Sequence, residues 1–442
     1  MAKMTWTLDA SFEDAAADGP RLGVLTSPGA PQPDGSMQKK VFPTPAVLTY
    51  TRRGEPAHLT PDCVDLLPAE ARAFQVSVTH FMDHLGPEHV ANTPGGGRRY
   101  FGCRPTFVFL TPRDPVTFDM AAKPTNDPNA TFVSAPTGCR KVTVEDYMRW
   151  VHAIQPDAFV ALSEEAPSWE RGAGKNKTQA AAKRTEAWLL ACGEKAGGVP
   201  MFAAVQGGAD EDARRASASA AASHENVVGF TIGSLGAGEA PGLTREALLT
   251  AAIGPLPKHK PRHVAGLSTP LEILECVSAG VDLLDASFCH VLTQQGYAMS
   301  FPTAPPADGT AGAASGKRKR RDGDVDVRAA DEGAAGEEKD GELEKRLAGG
   351  GDAFKINVWA LMHRMDKLPL MPGCDCFTCT NHSRAYVHHL LQCHEMTASV
   401  LLDIHNIHHY NRFFESIRDA IRAGTFSDFT RFHRDRAATL GS

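Results

Sequence analysis

Three cysteines spaced C-x-C-x2-C, Cys374, Cys376 and Cys379, are followed 26 residues later by His405 in an apolar helical run. Thiolate sulfur and imidazole nitrogen are the donors that suit Zn2+ in a tetrahedral site. Three thiolates and one imidazole fill all four positions and leave none for water or substrate. The pattern therefore predicts one structural zinc rather than a catalytic one. Pro372 and Gly373 supply the turn that folds the loop back on a metal. The plain alternative is three reduced cysteines on a loop. The histidine is less determined than the cysteines, because His382, His388, His389, His394 and His408 lie nearby. His405 is preferred because Leu401-Leu402-Asp403-Ile404 would turn its helix face inward. His394 is the second choice, and His388 and His389 read as ordinary helix residues.

The elements that must position this cluster follow a βα rhythm. Over residues 1–302 short apolar runs alternate with amphipathic stretches. Strands are expected at 158–162, 201–205, 227–232, 264–267 and 281–285, and helices at 175–192, 210–223, 244–253 and 270–279. Repeats of about 30 residues over this length point to an α/β fold of the (β/α)8 TIM-type barrel class. From 303 to 352 the composition shifts to Ala, Gly, Asp, Glu and Lys, a low-complexity charged insertion expected to be disordered. Residues 353–442 re-enter order with a strand at 354–358. They then complete the barrel and form a zinc-binding helical subdomain, with helices at 383–393 and 398–424.

Bulk properties narrow the function. At 442 residues the chain has room for one large domain with an appendage. No run has the apolar length of a membrane span and the start carries no signal peptide, so no integral membrane association is expected. Ten cysteines without secretory features indicate a reducing compartment. A net charge of −6 argues against indiscriminate nucleic-acid coating, though not against an RNA seated on a local patch. Within the insertion, Lys317, Arg318, Lys319, Arg320 and Arg321 form a basic cluster that reads as a nuclear-import signal, an RNA-contacting arm or a solvated charge run.

The tail resembles the zinc subdomain of the tRNA-guanine (queuine) transglycosylase family. The match rests on Cys374-Asp375-Cys376-Phe377-Thr378-Cys379, on the stretch from Asn381 to Leu391, and on Leu401-Leu402-Asp403-Ile404-His405-Asn406. Weaker matches include Arg21-Leu22-Gly23-Val24-Leu25, Phe42-Pro43-Thr44-Pro45-Ala46, Val205-Gln206-Gly207-Gly208, Gly233-Ser234-Leu235 and Gly280-Val281-Asp282-Leu283-Leu284-Asp285. The resemblance implies a (β/α)8 barrel that exchanges the wobble guanine of tRNA with a GUN anticodon for queuine. One aspartate would attack ribose C1′ and a second would transfer protons. It places Asp285 at the nucleophile position, and Gln206, Gly233 and Ser234 on the base-binding wall.

Several positions depart from the catalytic pattern. Counted from Arg104-Pro105, Phe109 stands where the proton-transfer aspartate is expected, and phenylalanine carries no proton. Ser163 replaces the base-recognising aspartate, and Val291 and Gln294 replace two RNA-gripping arginines. This pattern of losses resembles non-catalytic members of the family, which form a heterodimer with a catalytic homologue and help position tRNA. Asp285 then reads as a vestigial or structural carboxylate. The alternative is an active enzyme, with Asp285 as nucleophile and Glu164 or Glu165 in proton transfer. A free-standing zinc-knuckle nucleic-acid reader fits less well, since the arginines of the last helices are interleaved with acids. Family resemblance implies the cytoplasm or a mitochondrial surface, and the basic cluster adds the nucleus.

Overall fold

The computed structural model describes residues 4–13, 18–27, 39–83, 86–94, 96–102, 107–117, 127–165, 175–236, 244–305 and 349–440. Eight parallel strands close into a barrel: β1 (Ala46–Tyr50), β2 (Ala73–Ser77), β3 (Phe107–Thr111), β4 (Ala158–Val160), β5 (Met201–Val205), β6 (Val227–Ile232), β7 (Arg262–Val264) and β8 (Leu283–Asp285). Closure pairs Leu283 with Ala46 and Asp285 with Leu48. Strands buried on both faces need continuous apolar runs, and β1, β2, β3 and β5 are buried at every position.

Side chains fill the lumen. Ala46, Leu48, Ala73, Phe107, Phe109, Val160, Phe202, Ala204 and Leu283 form one cluster with Met4, Leu25 and Phe42. The last three belong to an N-terminal segment whose strands Thr5–Leu8, Gly23–Ser27 and Lys40–Thr44 make an antiparallel sheet. Phe42 meets Phe107, the first residue of β3, with ring centroids 5.9 Å apart. The sheet thus plugs the N-terminal end of the barrel and leaves the C-terminal strand ends as the mouth. Arg21 ties this plug to the residue before β8, donating from Nε to Asp282 Oδ1 at 2.9 Å in a buried ion pair.

Outside lie α1 (Val144–Ile154), α2 (Lys175–Lys195), α3 (Glu211–Ala222), α4 (Arg245–Ile253), α5 (Pro270–Ser278) and α6 (Ser287–Gln295). Local chemistry starts them. Thr143 with Asp146 and Thr269 with Glu272 form capping boxes, and Asp210 and Thr244 cap α3 and α4. The tail adds α7 (Arg384–Gln392), α8 (Met396–Arg422) and α9 (Phe426–Leu440). The 27 residues of α8 span about 40 Å. Its Tyr410 hydroxyl donates to the Ser268 carbonyl beyond β7, and Arg418 Nη1 reaches the Pro45 carbonyl before β1 at 3.0 Å. The tail is therefore built onto the barrel wall.

Most element limits shift by one to three residues from expectation, and two of the differences have a clear physical cause. The strand expected at 264–267 ends at Val264, because Gly266 takes φ 86° and turns its N–H out of the sheet toward Asp285. The end of the expected insertion belongs to an ordered turn. Asp352 Oδ1 accepts from Phe354 N at 2.8 Å, and Asn357 Nδ2 donates to Gly349 O at 3.0 Å. That turn enters Lys355–Asn357, which pairs antiparallel with Tyr297–Met299 in a two-stranded sheet not foreseen in the sequence. Residues 306–348, with the basic cluster from Lys317 to Arg321, lie outside the described residues. No helix among the described residues is long and apolar enough to cross a membrane.

Candidate metal centre and barrel mouth

Cys374 follows a turn closed by its N–H on the Met371 carbonyl. Cys376 caps the short helix Phe377–Asn381, its Sγ accepting from Cys379 N at 3.3 Å, which brings Cys379 back beside it. His405 projects from α8. Its Nδ1 lies 3.8, 3.5 and 3.3 Å from the sulfurs of Cys374, Cys376 and Cys379, and all four donor atoms fall within 4.8 Å of one another. Ligands bonded at 2.0–2.3 Å in a tetrahedron stand roughly 3.5–3.8 Å apart, so these separations fit one shared ion.

His405 Nε2 donates to the Met299 carbonyl at 2.7 Å, which leaves the Nδ1 lone pair for a metal. Burial alone would depress the His405 pKa, but the charges and hydrogen bonds of Cys379 and Cys374 reverse this and raise it to about 10. Hydrogen bonds from Cys376 and Cys379 push Cys374 far below the ordinary thiol range. The same contacts raise the Cys376 thiol, so one thiolate shares its charge with the neighbouring sulfur and imidazole donors, and the four donors converging on one point could hold a metal ion.

The other histidines have different work. His394 lies against Trp359, ring centroids 6.0 Å apart, and His388 Nδ1 donates to the Val358 carbonyl at 2.8 Å. His408 Nε2 meets Asp375 Oδ1 at 2.9 Å. His409 was missed in the sequence. It stacks 5.7 Å from His405 and hydrogen-bonds Cys374, and its i+4 spacing from His405 on α8 was the available signal.

At the mouth, Asp285 ends β8 and is fully buried. Its Oδ2 accepts from Gly266 N at 2.6 Å and its Oδ1 from Ser287 N at 2.8 Å. Burial raises its pKa against the pull of the Ser287 and Gly266 bonds. Phe109 lies two residues below the end of β3, in mid-lumen, with Phe202 at 4.9 Å and His263 at 4.7 Å. The count that led to Phe109 starts from Arg104 and Pro105, which lie outside the described residues.

The carboxylate that follows β3 is Asp114. It accepts from His80 Nε2 at 3.0 Å and from the Tyr50 hydroxyl. Burial raises its pKa, but the His80 hydrogen bond and charge together with the Val116 and Thr117 bonds outweigh it and leave it lowered. Tyr50 packs at a tilt against His290, ring centroids 4.7 Å apart, and His290 stacks on His58 at 5.8 Å. Sequence reasoning missed this group. The available signal was position, since residues just past a barrel strand line the mouth.

Gln206, Gly233 and Ser234 come together just past β5 and β6, joined by Glu165 from beyond β4. Arg214 on α3, fully buried, fixes their backbone by donating to the carbonyls of Gly208, Gly233 and Ser234 at 2.8, 3.1 and 3.1 Å. Ser163 is buried and its carbonyl accepts from Arg113 Nη2 at 3.1 Å, while Glu164 pairs with Arg184. Val291 and Gln294 lie on α6, half-buried and exposed respectively.

A closed parallel barrel whose wall-packed C-terminal helices carry a Cys3His cluster defines a class, and comparison gives it a family. The profile described as queuine tRNA-ribosyltransferase matches residues 18–438, and this chain belongs to that family. It is 30% identical over 433 residues to queuine tRNA-ribosyltransferase accessory subunit 2 of Xenopus tropicalis, covering 96% of this chain and 98% of the relative. Relatives with the same description from Danio rerio and Homo sapiens are 31% and 28% identical. They cover 94% and 86% of this chain, and 97% and 89% of their own lengths.

Proposed function

We propose that this chain is the non-catalytic subunit of a heterodimeric tRNA-guanine transglycosylase. In this reading a catalytic homologue exchanges the wobble guanine of GUN-anticodon tRNA for queuine, while this chain contributes dimerisation and tRNA positioning. The observation that carries it is Asp285. A nucleophile must reach ribose C1′, and here the carboxylate is fully buried with both oxygens accepting backbone N–H groups. The enzyme alternative needs Glu164 or Glu165 to carry a proton. Glu164 is committed to Arg184, and Glu165 to Gln206 and Ser234.

The Cys374, Cys376, Cys379 and His405 donors would hold one Zn2+, which anchors the cysteine loop to α8 and leaves no position for chemistry. Leu361 and Met365, 78% and 79% exposed, offer an apolar segment near this subdomain, as expected of a partner-binding surface. The basic cluster supports a nuclear location, and family resemblance supports the cytoplasm or a mitochondrial surface.

The test is reconstitution with the catalytic homologue, measuring guanine exchange into tRNA for each chain alone and for the pair. The expected result is activity of the pair that Asp285→Ala leaves unchanged. Exchange by this chain alone, abolished by Asp285→Ala, would establish the enzyme reading instead.

A further inference from the structure

Gln206 and Ser234 present three donors toward one point at the mouth: the Gln206 side-chain amide, the Ser234 N–H and the Ser234 hydroxyl. Glu165 fills that point. Its Oε1 accepts from Gln206 Nε2 at 2.9 Å, and its Oε2 accepts from Ser234 N at 2.5 Å and lies 2.8 Å from Ser234 Oγ. Ser234 Oγ is also 2.5 Å from Gln206 Oε1, so its single proton serves one of two waiting acceptors. Gly233 permits the close approach, since a Cβ there would sit 2.3 Å from Gln206 Nε2 and 2.8 Å from Glu165 Oε1.

Ser234 holds φ 59°, an uncommon backbone state for a residue with a side chain. Arg214 clamps the carbonyls of Gly233 and Ser234 from behind. The half-buried Arg113 guanidinium adds a positive field at Glu165 and Glu164. A rigid, strained cradle with converging donors is how a ligand site is built. Here a side chain of the same chain satisfies it.

We infer that Glu165 is a built-in occupant of this cradle, an autoinhibitory side chain closing a site that would otherwise take the polar edge of a planar heterocycle. The inference rests on reading the mouth as a transglycosylase-type base wall. Gln206 and Ser234 cannot serve an incoming base while Glu165 engages both. Removing its carboxylate takes this acceptor away from the Gln206 amide and the Ser234 N–H and leaves the Arg214 clamp in place.

The experiment uses the full-length chain and its Glu165→Ala variant. Saturation-transfer NMR with guanine is expected to show binding to the variant and none to the wild type. Glu165→Ala should melt several degrees lower, and formate should restore part of the loss by re-entering the cradle, whereas chloride at equal ionic strength should not. Guanine binding equal in both proteins, or a variant that answers to neither guanine nor formate, would overturn the inference. If Glu165→Ala does not fold, Glu165→Ser removes the occupying carboxylate while keeping a small polar side chain. Guanine binding by that variant supports the inference and its absence overturns it. Pair formation with the catalytic homologue, read by size-exclusion chromatography, does not involve Glu165, so the subunit reading would fail there and not here.

Discussion

The metal cluster and the barrel mouth are both polar, both partly buried and both assembled from distant segments, yet they differ in what their atoms are waiting for. At the cluster, three sulfurs and His405 Nδ1 face one another within 4.8 Å, and Met299 holds the far nitrogen of the ring. Such a donor set is incomplete without a cation. At the mouth, Asp285, Asp114 and Glu165 are each engaged by protein donors already in place. A family's polar residues can therefore persist in two ways, as an open valence that needs a ligand or as a closed network that needs none. The state of the hydrogen bonds separates the two where residue identity does not.

The comparison breaks most visibly at the metal. Cys376→Ser should reduce bound metal from one per chain toward none, measured by elemental mass spectrometry. Metal binding contributes on the order of 10 kcal/mol in small structural sites, so cooperative melting of the C-terminal helices should go with it. Retention of both would mean that the cluster is a closed network like the mouth. Next is the lumen. Phe109→Ala should cost about 4 kcal/mol in urea unfolding by opening a cavity between Phe202 and His263. Phe109→Asp should cost at least as much and restore no exchange, since the position lies below the mouth.

Acid should loosen the barrel before it reaches most carboxylates. Burial lowers the pKa of His263 from 6.5 to about 3, and burial with the nearby charges of His58 and Arg52 lowers that of His290 to about 4. The folded chain then binds fewer protons than the unfolded one. Stability is complete above the unfolded value and falls as pH drops from 6.5 toward 4, by roughly 3 kcal/mol per histidine. Thermal melts across that range should show the decline, and His263→Leu should flatten it. The smallest effect on stability is expected at the surface. Leu361→Glu with Met365→Glu should change it by about 0.5 kcal/mol or less. Sedimentation should nonetheless show the pair lost, and an intact pair would place the partner elsewhere.

Much of this was legible because it is local. The C-x-C-x2-C spacing, the Thr269-Pro270 helix start and the apolar runs of β5 and β6 each carry their signal within a few residues, and β5 and β6 fall at their expected limits. The expected strand at 264–267 was displaced because the reach of Gly266 toward Asp285 is a contact between neighbouring strands. Nothing near residue 266 announces it.

By itself the sequence determined the barrel rhythm and the cysteine half of a metal cluster, since short-range pattern and backbone propensity suffice for these, while the transglycosylase link came from the resemblance of its motifs to a known family. Only the tertiary structure decided which histidine meets the sulfurs, which carboxylate follows β3 to the mouth, and whether the base wall stands open. Glu165 and Ser234 are 69 residues apart, and Asp285 takes one of its N–H donors from Gly266, in the loop after the neighbouring strand. Barrel closure brings such strand ends to one rim, and the geometry of that closure, more than residue type, sets which polar groups find partners.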